Sequence, residues 1–144
     1  MAQPGMLSIA NVAKASVNAY NDKNWEKARA TLAPDCLYDE VATHRTAKGI
    51  DQTLAIWQGW AKALPDSKAT FGHEFVMDNT VVLELTWRGT HTAPLPTPRG
   101  EIAPTGKTIE LRACQVLEVS GERVKTIRHY FDMATLNQQL GVML

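Results

Sequence analysis

Residues 109–131, IELRACQVLEVSGERVKTIRHYF, carry the periodicity that decides the fold. Ile109, Leu111, Ala113, Gln115, Leu117 and Val119 occupy every second position, which puts them on one face of a strand. Ser120-Gly121-Glu122 has the composition of a tight hairpin turn. Beyond it a last strand is expected over about residues 123–131. The same period of two runs backwards through Val81, Leu83, Leu85 and Trp87, and before them through Ala69, Phe71, His73 and Phe75. From residue 68 onward the chain therefore predicts four long strands in antiparallel succession.

Upstream the period changes to that of a helix. Met6, Ala10, Ala13, Val17 and Tyr20 lie three or four residues apart and predict a helix over about residues 5–20. Asp22 or Asn24 can cap a second, short helix carrying Trp25, Ala28 and Leu32, ended by Pro34. A short strand is expected around Cys36 to Val41. A third helix is predicted from Gly49 to about Leu64, with Asp51 in its first turn and Pro65 beyond it. Ile50, Leu54, Trp57, Ala61 and Leu64 form one apolar stripe on it, and Ile56, Trp60 and Ala63 a second. A helix apolar around most of its circumference is expected to pack on the sheet and also face a ligand cavity or a partner subunit. A closing helix is predicted over residues 132–140. Strands segregated from helices mean α+β: a curved antiparallel sheet with helices on its concave face, forming a cone whose interior suits a small molecule.

Between two of the strands, His91 to Gly106 holds four of the seven prolines, Pro94, Pro96, Pro98 and Pro104. A connection of that length tends to be functional or disordered, and it is read as a semi-rigid flap over the mouth of the cone. Fifteen basic residues balance fifteen acidic ones, and no basic excess of the kind that neutralises phosphates is present. The two cysteines, Cys36 and Cys114, are too few for a disulfide framework and are read as small apolar groups in strands. Histidines 44, 73, 91 and 129 show no metal-ligand spacing. No apolar run is long enough to span a bilayer. The expectation is a single domain over residues 1–144, cytoplasmic, with a small hydrophobic partner rather than nucleic acid, membrane or metal.

Trp87-Arg88-Gly89-Thr90-His91-Thr92, Ala93-Pro94-Leu95 and Ala103-Pro104-Thr105-Gly106-Lys107 resemble the SnoaL-like polyketide cyclases. So does the tail Tyr130-Phe131-Asp132-Met133-Ala134-Thr135-Leu136 with Gln138-Gln139-Leu140-Gly141. Leu32-Ala33-Pro34-Asp35 and Gly49-Ile50-Asp51 echo two upstream landmarks of that family. The resemblance covers about residues 8–142. It implies a nuclear-transport-factor-2-like cone, assembled as a homodimer or larger homo-oligomer such as a homotetramer. The implied activity is ring closure of an aromatic polyketide ester by intramolecular aldol condensation. No metal or organic cofactor is implied; the work falls to an acid/base carboxylate on or just after the last strand. Here the family's tryptophan and acid before the tail aspartate are replaced by Arg128 and His129.

Aldol chemistry needs a base for a methylene flanked by carbonyls and hydrogen-bond donors for the enolate. Two residues compete for the base. His129 has a suitable unperturbed pKa, its other reading being a satisfied histidine at an interface. Asp132 matches the tail motif, its other reading being a helix N-cap. Gln115 is a polar group among apolar neighbours that needs a partner, either a substrate carbonyl or a neighbouring side chain. His91 at the flap's start is expected at the pocket rim, and Tyr38 can offer a hydroxyl. Trp87, with Trp57 or Trp60, can stack on a planar ligand or simply fill the core. Arg112, on the opposite face with Cys114 and Val116, completes the candidate binding set, with an interfacial ion pair as its other reading. The rival to a cyclase is a non-catalytic binding or scaffold module, or another acid/base enzyme such as an isomerase or epoxide hydrolase.

Overall fold

The computed structural model describes residues 8–142; Met6 and the expected helix start at residue 5 lie outside them. Helix α1 (Ile9–Asn21) begins at Ser8, whose hydroxyl accepts from the Asn11 amide at 3.1 Å. Helix α2 (Trp25–Thr31) is capped by Asn24, which accepts from the Lys27 amide at 3.0 Å. That cap satisfies one of the donors a helix start leaves open. The helix stops at Thr31, before Pro34. The proline instead lies within strand β1 (Leu32–Glu40), in the stretch between Leu32 and Leu37 where the pairing is irregular. A missing N–H is tolerated there because the ladder is already broken.

After a single 3-10 turn, Val41–Thr43, comes β2 (Arg45–Lys48), a strand the hydropathy pattern does not mark. Helix α3 (Gly49–Ala63) follows, and then β3 (Lys68–Met77), β4 (Thr80–Thr90), β5 (Leu95–Thr97), β6 (Gly100–Ile102), β7 (Thr108–Ser120), β8 (Arg123–Phe131) and α4 (Met133–Leu140). Six strands form one sheet in the order β2-β1-β8-β7-β4-β3. The expected wholly antiparallel sheet is corrected at one seam, where β1 runs parallel to β8. These two strands are distant in sequence, so no hairpin dictates their direction.

The alternation read from β4 and β7 holds, and β8 lies where the turn before it placed a last strand. Val81, Leu83, Leu85, Leu117, Val119, Val124 and Ile127 are buried in one core with α1 and α3, whereas Glu84, Arg88, Glu110 and Arg112 point out. In β3 the expected alternation fails at a bulge between Phe71 and Glu74. One extra residue there turns His73 and Phe75 to the outer face. His73 stacks on Phe75 at 6.4 Å and lies 3.1 Å from the Glu84 carboxylate.

The flap is a small hairpin. Strands β5 and β6 pair with each other, and Leu95 is buried against α3, α4 and β7. Thr92 and Ala93 donate their amides to the Ala63 carbonyl, closing the end of α3 that Pro65 follows. Helix α3 thus meets the sheet on one side and the flap on another, which accounts for its broad apolar girth.

Candidate functional site

Between the helices and the inner face of the sheet lies a cavity of about 70 Å³, walled by α1, α3, β1, β4, β7 and β8. Trp57, Trp60, Trp87, Leu111 and Phe131 are among its apolar lining, and no lining side chain is charged. Period-two geometry sets its polar equipment. Gln115 on β7 and His129 on β8 are register partners and both point inward, so their side chains are cross-strand neighbours. Tyr38 on β1 pairs with Ile127, two residues from His129, and its hydroxyl reaches the imidazole.

The hydrogens of this cluster can be placed by counting. Glu40 is fully buried, and its Oε1 receives the Arg45 guanidinium at 2.6 and 3.0 Å and the Thr43 hydroxyl at 2.5 Å. Its Oε2 accepts from the Trp60 indole N–H and from the Tyr38 hydroxyl, both at 2.9 Å. Burial would raise the Glu40 carboxyl, but the Thr43 bond, the Arg45 charge and the further hydrogen bonds outweigh it and hold the carboxyl below its ordinary value. Glu40 is therefore an acceptor only, and the single Tyr38 hydrogen belongs to it. Burial, reinforced by that carboxylate, pushes the Tyr38 phenol well above its usual value, so the hydrogen stays. The Tyr38 oxygen, 2.9 Å from His129 Nδ1, must then accept, which makes Nδ1 the protonated nitrogen. His129 Nε2 keeps its lone pair and accepts the Trp87 indole N–H at 3.2 Å.

His129 is thus neutral, with its tautomer set from both sides. Burial pushes its pKa down to about 4, with Glu40 opposing weakly. Gln115 is different. It is 5 % exposed, and its Oε1 has no hydrogen-bond partner among the described residues. An unpartnered buried amide oxygen on a cavity wall is a place for a ligand's hydrogen-bond donor.

Tyr38, Trp57, Trp87, Gln115 and His129 all line this cavity; the other candidates lie elsewhere. Asp132 is the N-cap of α4, accepting from the Ala134 amide at 3.0 Å and the Thr135 hydroxyl at 2.7 Å. Those bonds, the Thr135 hydroxyl first, hold its carboxyl below the usual value, and it is outside the cavity. Arg112 faces the outer groove with Thr86, Arg88 and Glu110. His91 is fully buried at the base of the flap. Its backbone bonds Lys107 and Gly106, and its Nδ1 lies 3.0 Å from the Thr105 hydroxyl. It holds the flap's two ends together and is not part of the cavity wall, where a rim position was expected. Burial lowers its pKa.

Sequence reasoning missed Glu40, Arg45, Tyr20 and Ser67. Glu40 stands two residues from Tyr38 on the same strand face, a signal that was legible. Its pairing with Arg45 was not, because β2 has no apolar alternation. Among the described residues no group of His, Cys, Asp and Glu could hold a metal ion, and no helix is long and apolar enough to cross a membrane.

Comparison with known proteins agrees with this architecture. The sequence profile of the SnoaL-like polyketide cyclases matches residues 10–140. A candidate SnoaL-like polyketide cyclase from Jannaschia sp. CCS1 superposes with a TM-score of 0.83 at 14% identity, over 100% of this chain and 99% of the other. IdmH, a candidate polyketide cyclase from Streptomyces antibioticus, gives 0.78 at 22% identity, over 94% of this chain and 100% of its own. AclR, a candidate hydroxylase from Streptomyces galilaeus, gives 0.78 at 18% identity, over 92% and 95%. At these identities the shared property is the fold. Comparison with curated protein sequences gives no match.

Proposed function

Because the chain belongs to the SnoaL-like polyketide cyclase family, we propose that it closes a ring in a hydrophobic carbonyl compound by cofactor-independent intramolecular aldol condensation, with His129 as the base. The observation that supports this most is the neutral imidazole beside the unpartnered Gln115 amide, on the wall of an uncharged aromatic cavity. Asp132, capping α4 on the outside, cannot reach that space, so the proton falls to His129.

The steps follow from the hydrogen placement. The substrate's activated methylene gives its proton to His129 Nε2 once the Trp87 N–H has turned away from it. The resulting enolate oxygen is held by the Gln115 amide hydrogens. Its carbon attacks a second carbonyl of the same molecule, forming the C–C bond, and the new alkoxide takes the proton back from His129. While the imidazole is charged, its Nδ1–H donates to Tyr38, whose own hydroxyl leans on the ionised Glu40. That chain delivers negative charge to the back of the ring without placing a charge in the cavity. A depressed basicity is tolerable because flanking carbonyls already acidify the methylene. General base catalysis of this kind contributes about 10²–10⁴-fold.

One observation favours a non-catalytic binding module instead: both nitrogens of His129 are already engaged within the protein. The deciding experiment is closure of an anthraquinone-type polyketide methyl ester, followed by chromatography, with the unaltered protein and with His129→Asn. Closure above the spontaneous rate, lost in a folded His129→Asn variant, supports the cyclase. Binding without closure supports the module, and closure undiminished in His129→Asn removes His129 from the mechanism.

A further inference from the structure

Tyr20, in the last turn of α1, and Ser67, between α3 and β3, both line the cavity, with hydroxyl oxygens 2.7 Å apart. Each hydroxyl carries one hydrogen, and the bond between them uses one. Whichever donates, the other O–H is left without an acceptor among the described residues. The neighbouring polar groups have no such surplus. The Ser16 hydroxyl donates to the Ala13 carbonyl at 2.8 Å, and the Tyr38, Trp60 and Trp87 hydrogens are committed to Glu40 and His129.

The pair is also held firmly. The Ser67 amide donates to the Leu64 carbonyl at 2.9 Å, and the Lys23 ammonium donates to the Ser67 carbonyl. Gly89 on β4 lets Ser67 come close, since a Cβ there would lie 3.1 Å from the Ser67 Cα and Cβ. Tyr20 is wedged edge-on between Trp25 at 5.8 Å and Trp87 at 5.2 Å. Burial, partly offset by the Ser67 bond, pushes its phenol up to about 12, so it remains a donor at any ordinary pH. Trp87 stands between this pair and His129, touching Tyr20 with its ring and His129 with its N–H.

We infer that Tyr20 and Ser67 form a second oxygen-binding subsite, donating a hydrogen bond to a carbonyl oxygen on the far side of Trp87 from Gln115 and His129. The ligand is then a flat, uncharged compound with an acceptor oxygen at the Tyr20–Ser67 end. This rests on the proposed reading of the cavity as a ligand site, but not on its being catalytic.

The test uses fluorenone and fluorene, flat probes that differ by one carbonyl, with binding read from tryptophan fluorescence quenching. A Gln115→Leu background silences the other station. There fluorenone is expected to bind roughly three- to tenfold more tightly than fluorene, the worth of one hydrogen bond. Adding Tyr20→Phe and Ser67→Ala together should bring the ratio to about one. Either change alone leaves one free O–H and most of the preference. A ratio near one before the hydroxyls are removed, or one unchanged afterwards, overturns the subsite while leaving the cyclase reading intact. If neither probe binds the unaltered protein, the cavity is not a site for flat aromatic ligands and both readings fall.

Discussion

At the residue scale the decisive fact is that the one imidazole in the cavity is neutral and its tautomer is imposed. A carboxylate that never faces the ligand, Glu40, does the imposing through Tyr38. Removing Arg45 takes away the charge partner and two of the five hydrogen bonds that the buried Glu40 carboxylate receives, and loss of one partner of such a pair costs about 3–5 kcal/mol. Arg45 is itself partly exposed, so Arg45→Ala is expected near the lower end, measured by urea denaturation. His129 also makes a pH signature. The unfolded imidazole takes up a proton near pH 6.5, whereas the folded one resists until about pH 4. Stability is therefore full above about pH 6.5 and falls as pH drops toward 4, by at most about 3 kcal/mol. In His129→Gln that slope should flatten, as followed by urea midpoints at pH 7, 6, 5 and 4.5. An identical slope in the variant would mean that His129 is hydrated in the folded protein.

At the element scale, the end of β8 does two things within four residues: it presents His129 inward and caps α4 with Asp132. Asp132→Ala should lower the melting temperature slightly, because it removes the N-cap of α4. If ring closure is observed, it should survive in the folded variant, whereas a loss comparable to that in His129→Asn would reinstate the aspartate as the base. The contact between β4 and the segment after α3 is equally specific. Gly89→Ala would push a methyl group against the Ser67 backbone at 3.1 Å and Leu64 at 3.3 Å. Such overpacking costs about 1–3 kcal/mol, seen as a lower melting temperature. The bulge in β3 shows how little sequence periodicity says once pairing shifts. His73 and Phe75 keep the spacing of Ala69 and Phe71 but face the other way, because one residue was inserted opposite Glu84.

At the scale of the whole molecule, a single layer of helices over a curved sheet leaves a space that its own side chains do not fill. An apolar ligand that enters only the folded state stabilises it by about 2.7 kcal/mol at a hundred times its dissociation constant. A melting temperature that climbs with ligand concentration is the expected result for fluorenone or a polyketide ester. No shift at saturating concentration would count against a preformed cavity. Charge balance is consistent with this picture, since fifteen positive and fifteen negative side chains leave no net field to gather an ionic ligand.

The period of two over β4 and β7 by itself determined those strands and the α+β class, and with them the inward aim of Trp87 and Gln115. These are local facts, because successive side chains of a strand alternate whatever the strand pairs with. The flap was legible from its prolines, and the cap of α2 only as a choice between Asp22 and Asn24, which the structure settles for Asn24. What only the tertiary structure decided depends on which strands become neighbours. The parallel seam between β1 and β8 brings Tyr38 to His129, and the short β2 brings Arg45 to Glu40. The fold of the chain after α3 brings Ser67 to Tyr20. No spacing in the sequence encodes those meetings, because they join residues 91, 5 and 47 positions apart across different elements. Asp132 and His129 lie three residues apart, yet only one reaches the cavity, because the strand ends between them.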